Sequence, residues 1–121
     1  MDFKEYQKEA ERTSALLETP LMDNLHYLLG MQTEVSELSD IWKKHIAYGK
    51  AIDWVNVKEE IGDLAWYVFN FMRVNDLDFE EILETNIKKL RTRYPDKFTQ
   101  EMAINRDLDK ERKILEELDF K

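Results

Sequence analysis

Apolar side chains return along this chain at alternating intervals of three and four, the period of a helix with one buried face. Phe3, Tyr6, Ala10, Thr13 and Leu17 mark the first such run, opened by the capping pair Asp2 and Glu5. Thr19-Pro20 breaks it, because proline disfavours a helical predecessor yet suits a first helical turn itself, so a second helix is expected to begin there. Its stripe reads Tyr27, Met31, Glu34, Leu38, Ile41, His45, an acid set within a largely apolar line, and Tyr48-Gly49-Lys50 ends it. Asn56 with Glu59 is expected to cap a third helix carrying Val57, Ile61, Leu64, Val68 and Phe71. From Leu64 to Met72 nearly every side chain is apolar, which suits the centre of a bundle or a surface covered by a second subunit. Asp78 and Glu81 cap a fourth helix with Phe79, Ile82, Leu83, Ile87, Leu90 and Tyr94 inward, and Pro95 stops it. Asn105 then caps a charged last helix whose apolar positions are Leu108, Leu115 and Leu118.

The pattern predicts an all-α fold, with a four-helix-bundle-like core, an additional C-terminal helix, and completion by oligomerisation. A length of 121 residues allows one domain, residues 1–121. Only 3 Gly and 2 Pro argue against the many tight turns of a small β-sandwich or barrel. Charge narrows the partners. The formal net charge of −8 repels a phosphate backbone over most of the surface, so nucleic acid is not expected to bind. A small phosphorylated ligand stays compatible, since metal ions and a few local cations reverse the sign inside a pocket. With no Cys there is no disulfide, thiolate zinc site or cysteine nucleophile, and 2 His cannot build a histidine-rich site. Nor can they supply the Glu-x-x-His pairs of a di-iron bundle. Any metal is expected to be oxygen-bound. The longest uninterrupted apolar run, Leu64 to Phe69, falls far short of the roughly 20 residues a bilayer requires, and the acidic amphipathic start is no signal peptide. A cytoplasmic protein without a membrane partner is expected.

Two acid pairs carry the chemistry: Glu34-x-x-Glu37 and Glu60-x-x-Asp63. Residues three apart share a helix face, so each pair can share a cation. Spacing alone does not single them out, because seven acid-x-x-acid pairs occur where about five are expected by chance for this composition. Context does. Asp2-Glu5 and Asp78-Glu81 are caps, and Glu37-Asp40, Glu81-Glu84 and Glu116-Asp119 read as solvated faces. Glu34 instead interrupts an apolar stripe, and Asp63 immediately precedes the most apolar stretch, where an unpaired carboxylate is costly to desolvate. Oxygen-only ligands at such spacing suit Mg²⁺, or Mn²⁺, better than zinc or copper. Trp42, Trp54 and Trp66 read as core aromatics, Tyr67 as a pocket-lining ring one turn beyond Asp63, and His26 as a packing residue.

The two pairs, Glu34-Val-Ser-Glu37 and Glu60-Ile-Gly-Asp63 with 22 residues between them, resemble the ExxE and ExxD marks of the MazG-like all-α nucleoside triphosphate pyrophosphohydrolases. The strings HYLLGMQTEVSEL, KKHIAYGK, EEIGDLAWYV, NIKKLRTRYPDKF and NRDLDKER are similar to small phage and bacterial members of that family. The resemblance implies a divalent metal cluster on Glu34, Glu37, Glu60 and Asp63, attack of water at the α-phosphorus, and release of nucleoside monophosphate and pyrophosphate. It further implies that Asn86 and Lys89 lie on the phosphate side, with Arg93 beside them, and a subunit pair, so a homodimer or higher homo-oligomer is expected. Glu37, ahead of Glu34, is the expected acceptor of the water's proton. Lys89 and Arg93 are expected to meet the outer phosphates, and Lys50 to close over them. The competing expectation is a non-catalytic helical interaction module, in which the acids serve solubility and the third helix is a binding surface.

Overall fold

A computed structural model describes residues 1–117, and every regular element among them is a helix. The order is α1 Phe3–Arg12, α2 Pro20–Tyr48, α3 Trp54–Val74, α4 Phe79–Arg93, α5 Gln100–Ile104 and α6 Leu108–Glu116. The all-α expectation holds. The chain divides into two compact units, Met1–Leu77 and Asp78–Lys121. No helix among the described residues is long and apolar enough to cross a membrane.

In the first unit α3 packs against both α1 and α2. No residue from Leu64 to Val74 is fully exposed, as a spine helix requires. Gly30 lies against Tyr67, Glu34 and Glu37 beside Glu60, and Trp42 against Trp54, so α2 and α3 run antiparallel. Gly49 makes the turn between them, ending α2 in the left-handed conformation at φ 66° with its N–H on the His45 carbonyl. A polar seam joins α1 to the rest. Asn70, fully buried, donates to the carbonyls of Ala10 and Trp66 at 3.4 and 3.1 Å, and the Trp66 indole donates to the Thr13 hydroxyl at 2.8 Å.

Several expectations about helix ends and burial need correction. The first helix stops at Arg12 rather than running to Leu17, because Ser14 bonds the buried Tyr27 hydroxyl and the Leu17 N–H donates to the Asp23 carboxylate at 2.8 Å. The third helix is capped by Asp53, whose side chain accepts from Val55 and Asn56 N–H groups, and not by Asn56 with Glu59. The last helix is capped by Asp107, and Asn105 closes the short α5 instead. Trp42 and Trp54 are not core. They meet edge to face, centroids 5.8 Å apart, on the rim of the α2–α3 pair, with Trp54 59% exposed.

The second unit is built on α4 against α6. Ile82, Leu83 and Ile87, expected inward, are each more than a third exposed, and Thr85 is the buried residue of α4. Within this unit a short, charged helix is the main cover for α4, too narrow for the whole apolar stripe. Leu118 and the Glu116-Asp119 pair reach beyond the described residues.

Candidate metal centre

The long stripe of α2 turns Tyr27, Gly30 and Glu34 toward α3, so the acid within that stripe is carried into the helix interface. There Glu34 is 9% exposed and Glu60 of α3 5% exposed. Glu37, one turn after Glu34, completes a group in which one carboxylate oxygen from each of Glu34, Glu37 and Glu60 lies within 4.8 Å of the others. Asp63 is placed differently. It is exposed, and its oxygens gather with those of Glu59 and Glu60 in a second group. The four expected ligands are therefore spread over two triads that share Glu60, and Glu59, absent from the expected set, joins the second.

Two of these oxygens, Glu34 Oε2 and Glu60 Oε2, are buried without any hydrogen-bond partner. A buried carboxylate oxygen left unpaired costs as much as a lost charged hydrogen bond, and three carboxylates at this spacing also repel one another. Glu37 is held above the usual carboxylate range, first by its side-chain contact with Glu60 and then by that group's charge and lost hydration. For Glu60 the largest effect, contact with Glu37, favours the charged form. Contact with Glu34, burial, and the charges of Glu34 and Glu59 together outweigh it and push Glu60 upward as well. A divalent cation held by these groups would relieve both penalties, and an all-oxygen donor set of this kind is compatible with such an ion.

Beside the triad opens a cleft of about 420 Å³, whose walls include Ser36, Glu37, Asp40, Lys44, Asn56 and Glu60. Asp40, expected on a solvated face, is a half-buried wall of this cleft, with its carboxylate 2.8 Å from Lys44 Nζ. The roomier cleft, about 590 Å³, lies along Leu38, Trp42, Lys43 and Ile46 and contains no carboxylate.

The other expected site residues fall in several places. Tyr67 lies flat against Gly30, and its ring contacts those of His26 and Trp66 at 6.0 and 5.0 Å. Lys50 is exposed after the Gly49 turn, where its backbone carbonyl accepts from His45 Nδ1 at 2.6 Å, and its side chain does not line the cleft. In the second unit Asn86 is exposed on α4, and Lys89 is half-buried. Arg93 is committed elsewhere, donating from both Nε and Nη2 to Glu111. Asp23 and His26 need no functional account, since Asp23 caps the Leu17 N–H and His26 packs on Tyr27 and Tyr67.

The family model of the MazG nucleotide pyrophosphohydrolase domain matches residues 22–98, a span that takes in both carboxylate pairs and the whole of α4. The chain belongs to this family. No curated protein and no solved structure matched it. Membership carries the coarse assignment to a nucleotide pyrophosphohydrolase family, and the acidic clusters of the MazG chain are compatible with a divalent cation.

Proposed function

We propose that this MazG protein hydrolyses a nucleoside triphosphate between the α- and β-phosphates, with Mg²⁺ held by Glu34, Glu37, Glu60 and Asp63. The observation that carries the reading is the pair of orphaned buried oxygens, Glu34 Oε2 and Glu60 Oε2, inside a three-carboxylate cluster of a MazG chain. When bound, Mg²⁺ supplies charge neutralisation on the phosphate oxygens and lowers the pKa of water. The chain's own residues do the rest. Glu37 is the carboxylate of the triad that faces solvent, which suits it to take a proton from the attacking water. Glu34, buried one turn earlier, would hold the ion beside it. The water oxygen bonds to the α-phosphorus as the bridging bond to the β-phosphate breaks, and the electron pair leaves with pyrophosphate.

Asn86 and Lys89 are assigned to the phosphate tail, Tyr67 to the pocket floor, and Lys50 to closure over the bound nucleotide. Arg93 is left out of that set because its guanidinium is engaged by Glu111. A second copy of the chain completes the fold as a homodimer or higher oligomer, acting in the cytoplasm on free nucleotides. The test is a panel of nucleoside triphosphates assayed with Mg²⁺ for pyrophosphate and monophosphate release. Orthophosphate as the product, or unchanged turnover in excess EDTA, overturns the cleavage position or the metal role respectively.

A further inference from the structure

The strongest unabsorbed feature is the cation at the mouth of the cleft. We propose that Lys44 receives the pyrophosphate end of the nucleotide, an assignment that rests on the hydrolase reading above and adds a residue that reading lacks. Among the residues lining the cleft beside Glu37 and Glu60, Lys44 is the one cation. The leaving group carries several negative charges, and three carboxylates already crowd the site, so an ammonium on the same wall has an electrostatic task there.

Its position fits that task. Lys44 follows Glu37 by seven residues on α2, about 10 Å along the axis. Long helical side chains lean toward the N-terminus, and Asp40 draws the ammonium back a full turn to 2.8 Å from its carboxylate. The charge therefore stands over the turn next to Glu37, a separation two linked phosphates can bridge. The pairing with Asp40 keeps Lys44 above its usual range and so fully charged, while both side chains stay over two-fifths exposed, so the pair is weakly held and free to exchange for a stronger anion. Lys43, the neighbouring cation, is 3.6 Å from Asp40 but lines the apolar cleft on the other edge.

The experiment is calorimetric titration of inorganic pyrophosphate, and separately of a nucleoside monophosphate, into the Mg²⁺-loaded parent, Lys44→Met, Lys44→Arg and Lys43→Met. Lys44→Met is expected to weaken pyrophosphate about tenfold, the size of one charged hydrogen bond, and to leave the monophosphate affinity unchanged. Lys44→Arg should restore most of the loss, and Lys43→Met should show none. Equal loss of both phosphate ligands, or unchanged pyrophosphate binding in Lys44→Met, overturns the assignment. Because no turnover is needed for these titrations, a parent that cleaves no nucleotide counts against the hydrolase reading, whereas loss of Lys44 dependence counts against this one alone.

Discussion

Arg93 at the end of α4 forks onto a single oxygen of Glu111 in α6, with Nε at 3.0 Å and Nη2 at 2.6 Å. Arg106 takes the other oxygen of the same carboxylate at 3.1 Å, and Glu111 is only 2% exposed. An acid so deeply buried is tolerable only because both of its oxygens are met by guanidinium donors. The RYP and NRDLDKER strings thus supply the two sides of one structural junction in the second unit.

That junction sets an acid limit. Glu111 is held below the usual carboxylate range, by Arg106 first and by Arg93, against the opposing effect of burial. Since its folded value lies below its unfolded value of about 4.3, its contribution to stability is complete above that pH and drains away as pH falls through the folded value. Glu111→Gln should therefore melt well below the parent at pH 7, with the gap closing on acidification. A gap of constant size from pH 7 to pH 2.5 would show that lost packing, not the ionised pair, is responsible.

Two glycines predict opposite signs for the same substitution. A Cβ at Gly30 would lie 2.2 Å from Tyr67 Cε1, and an aromatic ring wedged between helices cannot swing aside cheaply. Gly30→Ala should cost about 1–3 kcal/mol of stability, outweighing the helical gain. Around Gly62 there is open space within 4 Å, so Gly62→Ala in α3 should add about 0.5–1 kcal/mol in metal-free protein. Urea melts of the two variants decide it, and a stabilised Gly30→Ala would mean that α2 and α3 are not packed as described.

How much of this was legible in the sequence depends on range. The acid within the α2 stripe was readable, because a carboxylate in an apolar line must be carried into an interface, and Glu34 is. That Asp63 stays exposed while Glu60 is buried was not, since it depends on how α3 is rotated against α2, which helical spacing leaves free. Helix starts failed where two capable caps compete: Asp53 and Asn56 both precede the apolar run, and only the place where the chain leaves the Gly49 turn chooses between them. Spacing put Asp40 on a solvated face and did not single out Lys44, and the two become notable only once Glu60 closes the cleft from the facing helix. The engagement of Arg93 by Glu111 was hidden for a related reason, because that partner lies 18 residues away on another helix.

Self-association is expected from what remains uncovered. Leu25, Leu29, Val35, Ile46, Val55 and Ile61 of the first unit are each about half exposed or more, a larger apolar display than a stable monomer ordinarily keeps in water. Light scattering at micromolar concentration should report a dimer or larger species. A folded monomer there would remove the claim.

The decisive substitution is Glu37→Gln. In the metal-free protein Glu37 offers a carboxylate oxygen within 4.8 Å of one from each of Glu34 and Glu60, and three charges at that spacing repel one another. Glutamine keeps the shape and removes one charge, so in EDTA the variant should melt higher than the parent. Turnover should nevertheless fall by about a hundredfold or more, the loss expected when a proton acceptor is removed, before any loss of metal is added. With Mg²⁺ the melting order should narrow or reverse, because an ion that binds only the folded parent stabilises it by mass action, and the variant has lost a ligand. Glu81→Gln is the control: Glu81 is exposed in the first turn of α4, where its N–H meets the Asp78 cap, so neither metal-dependent change is expected and turnover should stay near normal. If the two variants melt alike with and without Mg²⁺, Glu37 is a surface acid like Glu81, and the carboxylate cluster binds no ion that matters to the fold.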